Sequence, residues 1–181
     1  MASLSGKRIL IMASDGFEEW ELFGPRQILM GEGAEVRLAA PSLSPIQATV
    51  MDDPGKTIRP DLKIADIDAE MFDALVLPGG VRNPDHLRTN SDAIAVIKAF
   101  DAARKPIAAI CHGPWLLVEA DLLRGRTATS WPSIRTDLRN AGATVVDHAA
   151  VTDGHLVTSR KPDDVEAFTA ALIRLLAAPA P

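Results

Sequence analysis

Ile107-Ala108-Ala109-Ile110-Cys111-His112-Gly113-Pro114 is the stretch that decides how this chain folds. Four apolar residues in a row make a strand with no polar face, the pattern of a strand buried on both sides. Cys111-His112-Gly113 reads as a tight turn. Pro114, whose fixed φ suits the first turn of a helix, opens a helix that runs to Ala120. Within the turn, Ala109-x-Cys111-x-Gly113 has the small-x-nucleophile-x-Gly spacing of a nucleophile elbow. Small neighbours are required there because the turn is sharp and the backbone of the presented residue is strained.

Outward from this stretch, apolar runs of strand length alternate with helical patterns. Ile9–Ala13, Val36–Ala40 and Ala74–Leu77 read as buried strands. A helix from about Glu18 to Met30 is stopped by Gly31 and Gly33, and Pro25 is expected to kink it or split off its first turn. From Pro41 to Asp68 the pattern weakens to loops with small strands at Thr49-Val50 and Thr57-Ile58, an excursion at the sheet edge. A helix over Ala93–Ala103 follows the cap candidate Ser91, and another lies near Ser133–Asn140 and ends at Gly142. Val145-Val146 and His155–Thr158 are further strands, the second after the turn pair Asp153-Gly154. Pro162 sits at the start of a last helix that reaches about Ala177.

These elements predict one α/β domain over residues 1–181, with a core of about 7–176 and a frayed tail at 178–181. The architecture expected is a single-domain three-layer sandwich, its mostly parallel sheet covered by helices on both faces. Ligands of such sheets bind beyond the carboxyl ends of the strands. The turns after Leu77 and Ile110 are therefore where chemistry is to be sought.

Composition narrows the functional classes. With 19 Lys+Arg against 24 Asp+Glu the formal charge is −5, which argues against a dedicated surface for nucleic acid or anionic membrane. No run approaches the roughly 18 apolar residues of a membrane span. The run Ile9–Ala13 after Lys7 and Arg8 is too short for a secretory signal, so the cytoplasm is expected. The single cysteine, Cys111, allows no disulfide within the chain and no zinc tetrad. His86, His112, His148 and His155 show no ligand spacing, so no metal site is expected. No phosphate-loop motif is present.

A lone cysteine is more often a small buried hydrophobe than a nucleophile. Here the strand–turn–helix setting and the adjacent His112 favour the nucleophile, and the helix N-terminus is expected to favour its thiolate. The backbone N–H of His112 is placed to stabilise an oxyanion, and its imidazole would serve as a base if another group orients it. After Leu77, Pro78-Gly79-Gly80 permits close approach of backbone to substrate, with the Gly80 N–H as a second oxyanion donor. Glu18, Glu19 and Glu21 crowd the start of the first helix, where acids complement the dipole and where one can point into the site. His148 and His155 read as solvent or turn residues.

Taken together, Ala109-Ile110-Cys111-His112-Gly113-Pro114, Leu77-Pro78-Gly79-Gly80, Phe17-Glu18-Glu19-Trp20-Glu21 and Thr158-Ser159-Arg160-x-Pro162-x-Asp164 resemble the ThiJ/PfpI superfamily, its PfpI branch best. The resemblance runs from about Lys7 to Leu176. It implies a flavodoxin-like sandwich with Cys111 as nucleophile, Glu21 as the buried acid on the sulfur, and amides of Gly80 and His112 as the oxyanion hole. It implies that Asp85, in Arg82-Asn83-Pro84-Asp85, completes the Cys–His pair from a neighbouring subunit, where family members often carry Glu. The active unit would then be a homodimer or homohexamer. Trp131 and Gly79 are expected at the pocket, and no cofactor is implied. Class I glutamine amidotransferases share the fold and a related elbow, but their late catalytic His is matched here by Ser159-Arg160-Lys161-Pro162, which has none.

The activity implied is that of a cysteine-dependent hydrolase, acting on glyoxal-type adducts as a deglycase or glyoxalase, or on peptides. Two other readings fit the same residues: an oxidative-stress sensor or holdase working through Cys oxidation, and a small-molecule enzyme of the isocyanide-hydratase kind.

Overall fold

In the computed structural model, which describes residues 4–178, strand β1 (Arg8–Met12) lies near the middle of a seven-stranded sheet. Every second residue explains why. Ile9 and Ile11 enter one core while Leu10 and Met12 enter the other, so the strand is apolar on both faces. The chain continues through β2 (Phe17–Glu18), α1 (Glu19–Gly31), β3 (Glu35–Ala40), β4 (Ile46–Val50), β5 (Asp53–Ile58) and β6 (Leu62–Lys63). Then come β7 (Ala74–Leu77), α2 (Arg82–Leu87), α3 (Ser91–Ala102), β8 (Ile107–Ile110) and α4 (Trp115–Glu119). The last third holds β9 (Thr127–Ala128), α5 (Arg135–Asn140), β10 (Thr144–Val145), β11 (Ala150–Asp153), β12 (Leu156–Ser159) and α6 (Val165–Ala177).

The sheet order is β11-β12-β8-β7-β1-β3-β6, parallel throughout except for the β11–β12 hairpin, which turns at Gly154-His155 rather than at the Asp153-Gly154 pair expected. Helices α1 and α6 pack together over one face, whose core holds Phe17, Leu22, Phe168 and Leu172. The other face is closed by Ile97 and Phe100 of α3, Leu116 and Leu117 of α4 and Leu138 of α5. This is the mostly parallel, helix-covered α/β sandwich expected from the sequence. The carboxyl ends of β7 and β8, adjacent in register from Leu75↔Ile107 to Leu77↔Ala109, meet at its centre.

Several local expectations are corrected. Helix α1 runs through Pro25 without splitting. Pro25 is buried, and beside it a side-chain carbon on Gly24 would come within 2.8 Å of Val165 in α6, so close helix packing offsets the lost backbone bond. The cap of α3 is Asn90, whose Oδ1 accepts from the amides of Asp92 and Ala93, and Ser91 is already helical. The weakly patterned region after Pro41 forms a separate three-stranded sheet, β2-β4-β5, whose β4–β5 hairpin turns at Met51-Asp52. His155 is buried, with Nε2 2.7 Å from Oδ1 of Asp101. The tail predicted to fray at 178–181 lies outside the described residues from 179 onward.

Candidate active site

Cys111 follows β8 with φ of +63°, a left-handed conformation that a side chain disfavours. Its backbone is fixed on both sides: the N–H donates to Ser159 O at 3.0 Å, and the C=O accepts from the Trp131 N–H at 2.9 Å. Gly113 closes the turn, its N–H donating to Ile110 O at 2.8 Å. A side-chain carbon on Gly113 would lie 2.5 Å from Leu77 O, which explains why the turn needs glycine after the cysteine.

The turn after β7 comes up beside it. Gly80 has φ of +73°, and a side-chain carbon there would overlap the carbonyl of Gly16. Asn83, wholly buried on α2, holds this turn in place. Its Nδ2 donates to Pro78 O and Gly79 O, both at 3.0 Å, while its Oδ1 accepts from the Ser14 N–H at 2.7 Å. Nothing in the sequence singles out Asn83, because a lone Asn has many bland roles in turns and caps.

Between the two turns lies Glu21, fully buried on the first turns of α1. Its Oε2 accepts from the Gly79 N–H at 2.8 Å, and Oε1 is buried without a conventional hydrogen-bond partner. Burial pushes its carboxyl up to about 8, outweighing the amides of Gly79 and Gly80 and the Cys111 thiol, which favour the charged form. Burial therefore favours the protonated, neutral form of Glu21. Burial also raises the Cys111 thiol, and a charged Glu21 would raise it further; the amides of Gly80 and His112 act in the opposite direction. The expected thiolate preference at the helix N-terminus is thus overridden by desolvation, and α4 is only five residues long. A thiolate is compatible with this site only when Glu21 is neutral, since two buried negative charges would repel.

The His112 ring is buried, with Nδ1 3.3 Å from Cys111 Sγ and Nε2 3.4 Å from Ser133 Oγ. Trp131 stacks on the ring with centroids 5.9 Å apart, and Trp115 meets its edge at 5.3 Å. Desolvation lowers the His112 pKa, keeping the imidazole neutral. The sequence suggested a backbone role first; the structure adds the ring at the sulfur.

A cavity of about 280 Å³ opens over these groups, lined by Cys111, His112, Gly80, Trp131, Ser133 and the Met51-Asp52 hairpin tip, among others. Glu18 lines it too, its Oε2 accepting from the Met51 N–H at 3.1 Å. Gly79, expected at the pocket, does not line it because its amide is turned inward to Glu21. Asp85 is exposed on α2, and its carboxylate makes no hydrogen bond to His112 within the chain. Ser133 and the hairpin tip were missed in the sequence, where a serine after Trp-Pro and a Met-Asp turn carry no signal of their own. Among the described residues, no group of three His, Cys, Asp or Glu side chains is arranged to hold a metal ion. No helix among them is long and apolar enough to cross a membrane.

Comparison with known proteins places this site in context. A model of the DJ-1/PfpI family matches residues 7–175. The chain is 41% identical to a deglycase of Thermococcus kodakarensis over 93% of its own length and 99% of that protein. It is 37% identical to Deglycase PfpI of Pyrococcus furiosus, with the same coverage of each chain. Drosophila melanogaster DJ-1beta superposes with a TM-score of 0.87 at 28% identity, covering 96% of this chain and 91% of that one.

Proposed function

This chain belongs to the DJ-1/PfpI family, and from that premise we propose that it is a cysteine-dependent hydrolase of glyoxal-type adducts. The observation that carries the reading is a cysteine held at positive φ with its sulfur 3.3 Å from His112 Nδ1, in a setting where the amides of Gly80 and His112 favour negative charge on that sulfur. Attack by that sulfur on an electrophilic carbon would place the developing oxyanion before the same amides. Neutral Glu21 supplies an O–H beside the sulfur, and His112 Nδ1 takes the thiol proton.

Substrate size favours adducts over peptides. A cavity of about 280 Å³ suits a small aldehyde or its adduct and is cramped for a peptide with several ordered side chains. The names of the deglycase relatives support the same choice. Asp85, exposed on α2, is proposed as the carboxylate that a neighbouring copy lends to the Cys–His pair in a homodimer or homohexamer. The free, buried Cys111 suits a reducing compartment, and we assign the protein to the cytoplasm.

The deciding assay gives the protein a methylglyoxal-modified amino acid and, in parallel, a fluorogenic peptide. Adduct removal well above peptide cleavage is expected. Faster peptide cleavage would turn the assignment to a peptidase, and no turnover of either substrate would remove the hydrolase reading.

A further inference from the structure

We propose that Ser133 is a positioning residue for His112, holding its Nε2 within the same chain so that Nδ1 faces the Cys111 sulfur. The inference rests on the cysteine-hydrolase reading above. Its basis is the row of contacts Cys111 Sγ to His112 Nδ1 at 3.3 Å and His112 Nε2 to Ser133 Oγ at 3.4 Å. These are the two polar contacts of the imidazole among the described residues, one on each nitrogen.

The placement of Ser133 is tied to the elbow. Trp131 donates its N–H to the carbonyl of Cys111 at 2.9 Å, which fixes this segment against the nucleophile turn. Pro132 follows and begins a single turn of tight helix closed by the Ile134 N–H on Trp131 O at 3.2 Å. Ser133 is the middle residue of that turn and faces the cavity. The same short segment thus supplies Trp131, stacked on the imidazole, and Ser133, on its outer nitrogen. With Trp115 at the other edge, the ring has little freedom to rotate away from the sulfur.

The Ser133 hydroxyl bears on which ring nitrogen is free. It accepts from Nε2–H, leaving the Nδ1 lone pair free to take the thiol proton. As the proton leaves Sγ for Nδ1, the sulfur electron pair forms the S–C bond and the carbonyl π pair moves to oxygen. The imidazolium then carries a proton on each nitrogen, and Nε2–H remains bonded to the neutral Ser133 oxygen. The neutral hydroxyl lets His112 stay neutral in the resting enzyme, and the Asp85 carboxylate proposed above for a neighbouring copy would add charge stabilisation to the imidazolium. The 3.4 Å spacing is long for a hydrogen bond, as such contacts often are before substrate closes the site.

The test compares wild type, Ser133→Ala and Ser133→Thr as full chains, with two readouts. The first is the rate of Cys111 alkylation by iodoacetamide across pH, which needs no substrate. The second is kcat and KM for adduct removal. For Ser133→Ala we expect alkylation near pH 7 and kcat to fall by about two- to tenfold, the fold-change of one hydrogen bond, with KM within about twofold. The alkylation profile should move to higher pH, and Ser133→Thr should restore it. An unchanged alkylation profile and kcat in Ser133→Ala would overturn the proposal, as would failure of threonine to restore either. If wild type removes no adduct, the hydrolase reading fails, while the alkylation series still decides what Ser133 does to the Cys–His pair.

Discussion

The two turns at the centre of the sheet solve one geometric problem in opposite ways. Both leave a buried strand and both adopt positive φ, +73° at Gly80 and +63° at Cys111. The turn after β7 uses a glycine where a side-chain carbon would collide with Gly16 O. The turn after β8 puts a cysteine in the same region of backbone space, although a left-handed non-glycine residue costs about 1–2 kcal/mol. Strain is accepted at one of two neighbouring turns, the one that presents a side chain. The other contributes only backbone amides, and there glycine is the better residue. Glu21 joins the two, accepting from Gly79 and adjoining Cys111.

The largest effect expected from breaking this arrangement is a pH effect through Glu21. Its folded carboxyl is raised from 4.5 to about 8, so between those values the folded state holds a proton that the unfolded state releases. That contribution to stability is fully present below the unfolded value and is lost as pH rises through about 8. The difference corresponds to roughly 5 kcal/mol. Glu21→Gln keeps the shape of the neutral acid and removes the titration. Urea unfolding at pH 5 and pH 8 should therefore show wild type losing more stability than Glu21→Gln over that interval; equal losses would contradict the raised carboxyl.

Next in size is the glycine turn. Gly80→Ala introduces a carbon against Gly16 O at positive φ and is expected to destabilise the fold by about 2–4 kcal/mol in the same urea measurement. A stability within about 0.5 kcal/mol of wild type would mean that the turn relaxes readily, and the contrast with Cys111 would lose its force. The smallest effect isolates the strain itself. Cys111→Ala and Cys111→Gly both remove the sulfur, yet only alanine keeps a side-chain carbon at φ of +63°. Glycine is normally the less stable of the two in regular structure; here it should be the more stable by about 1 kcal/mol. Alanine equal to or above glycine would show that the elbow is not strained.

How much of this was legible in the sequence follows the range of the forces involved. β7 and β8 are read directly, because a strand buried on both faces must be apolar at every position, as Ala74–Leu77 and Ile107–Ile110 are. The small residues around Cys111 are legible for the same local reason. What depends on distant neighbours is not. Pro25 inside α1 is tolerated because of α6, and His155 is buried because Asp101 lies opposite, 54 positions earlier. Asn83 and Ser133 are ordinary polar residues in the sequence until the fold brings them to Gly79 and His112. The desolvation that raises Glu21 and Cys111 is likewise a property of packing, and it reversed the expectation drawn from the helix terminus alone.

On the proposed function, the strained backbone of Cys111 presents the attacking sulfur. The measurement that tests it most directly is the rate of removal of a methylglyoxal adduct by Cys111→Ser, with circular dichroism confirming the fold. A loss of at least about a hundredfold is expected, since serine keeps the shape but is a far weaker nucleophile without a strong base. A rate within a few-fold of wild type would contradict it.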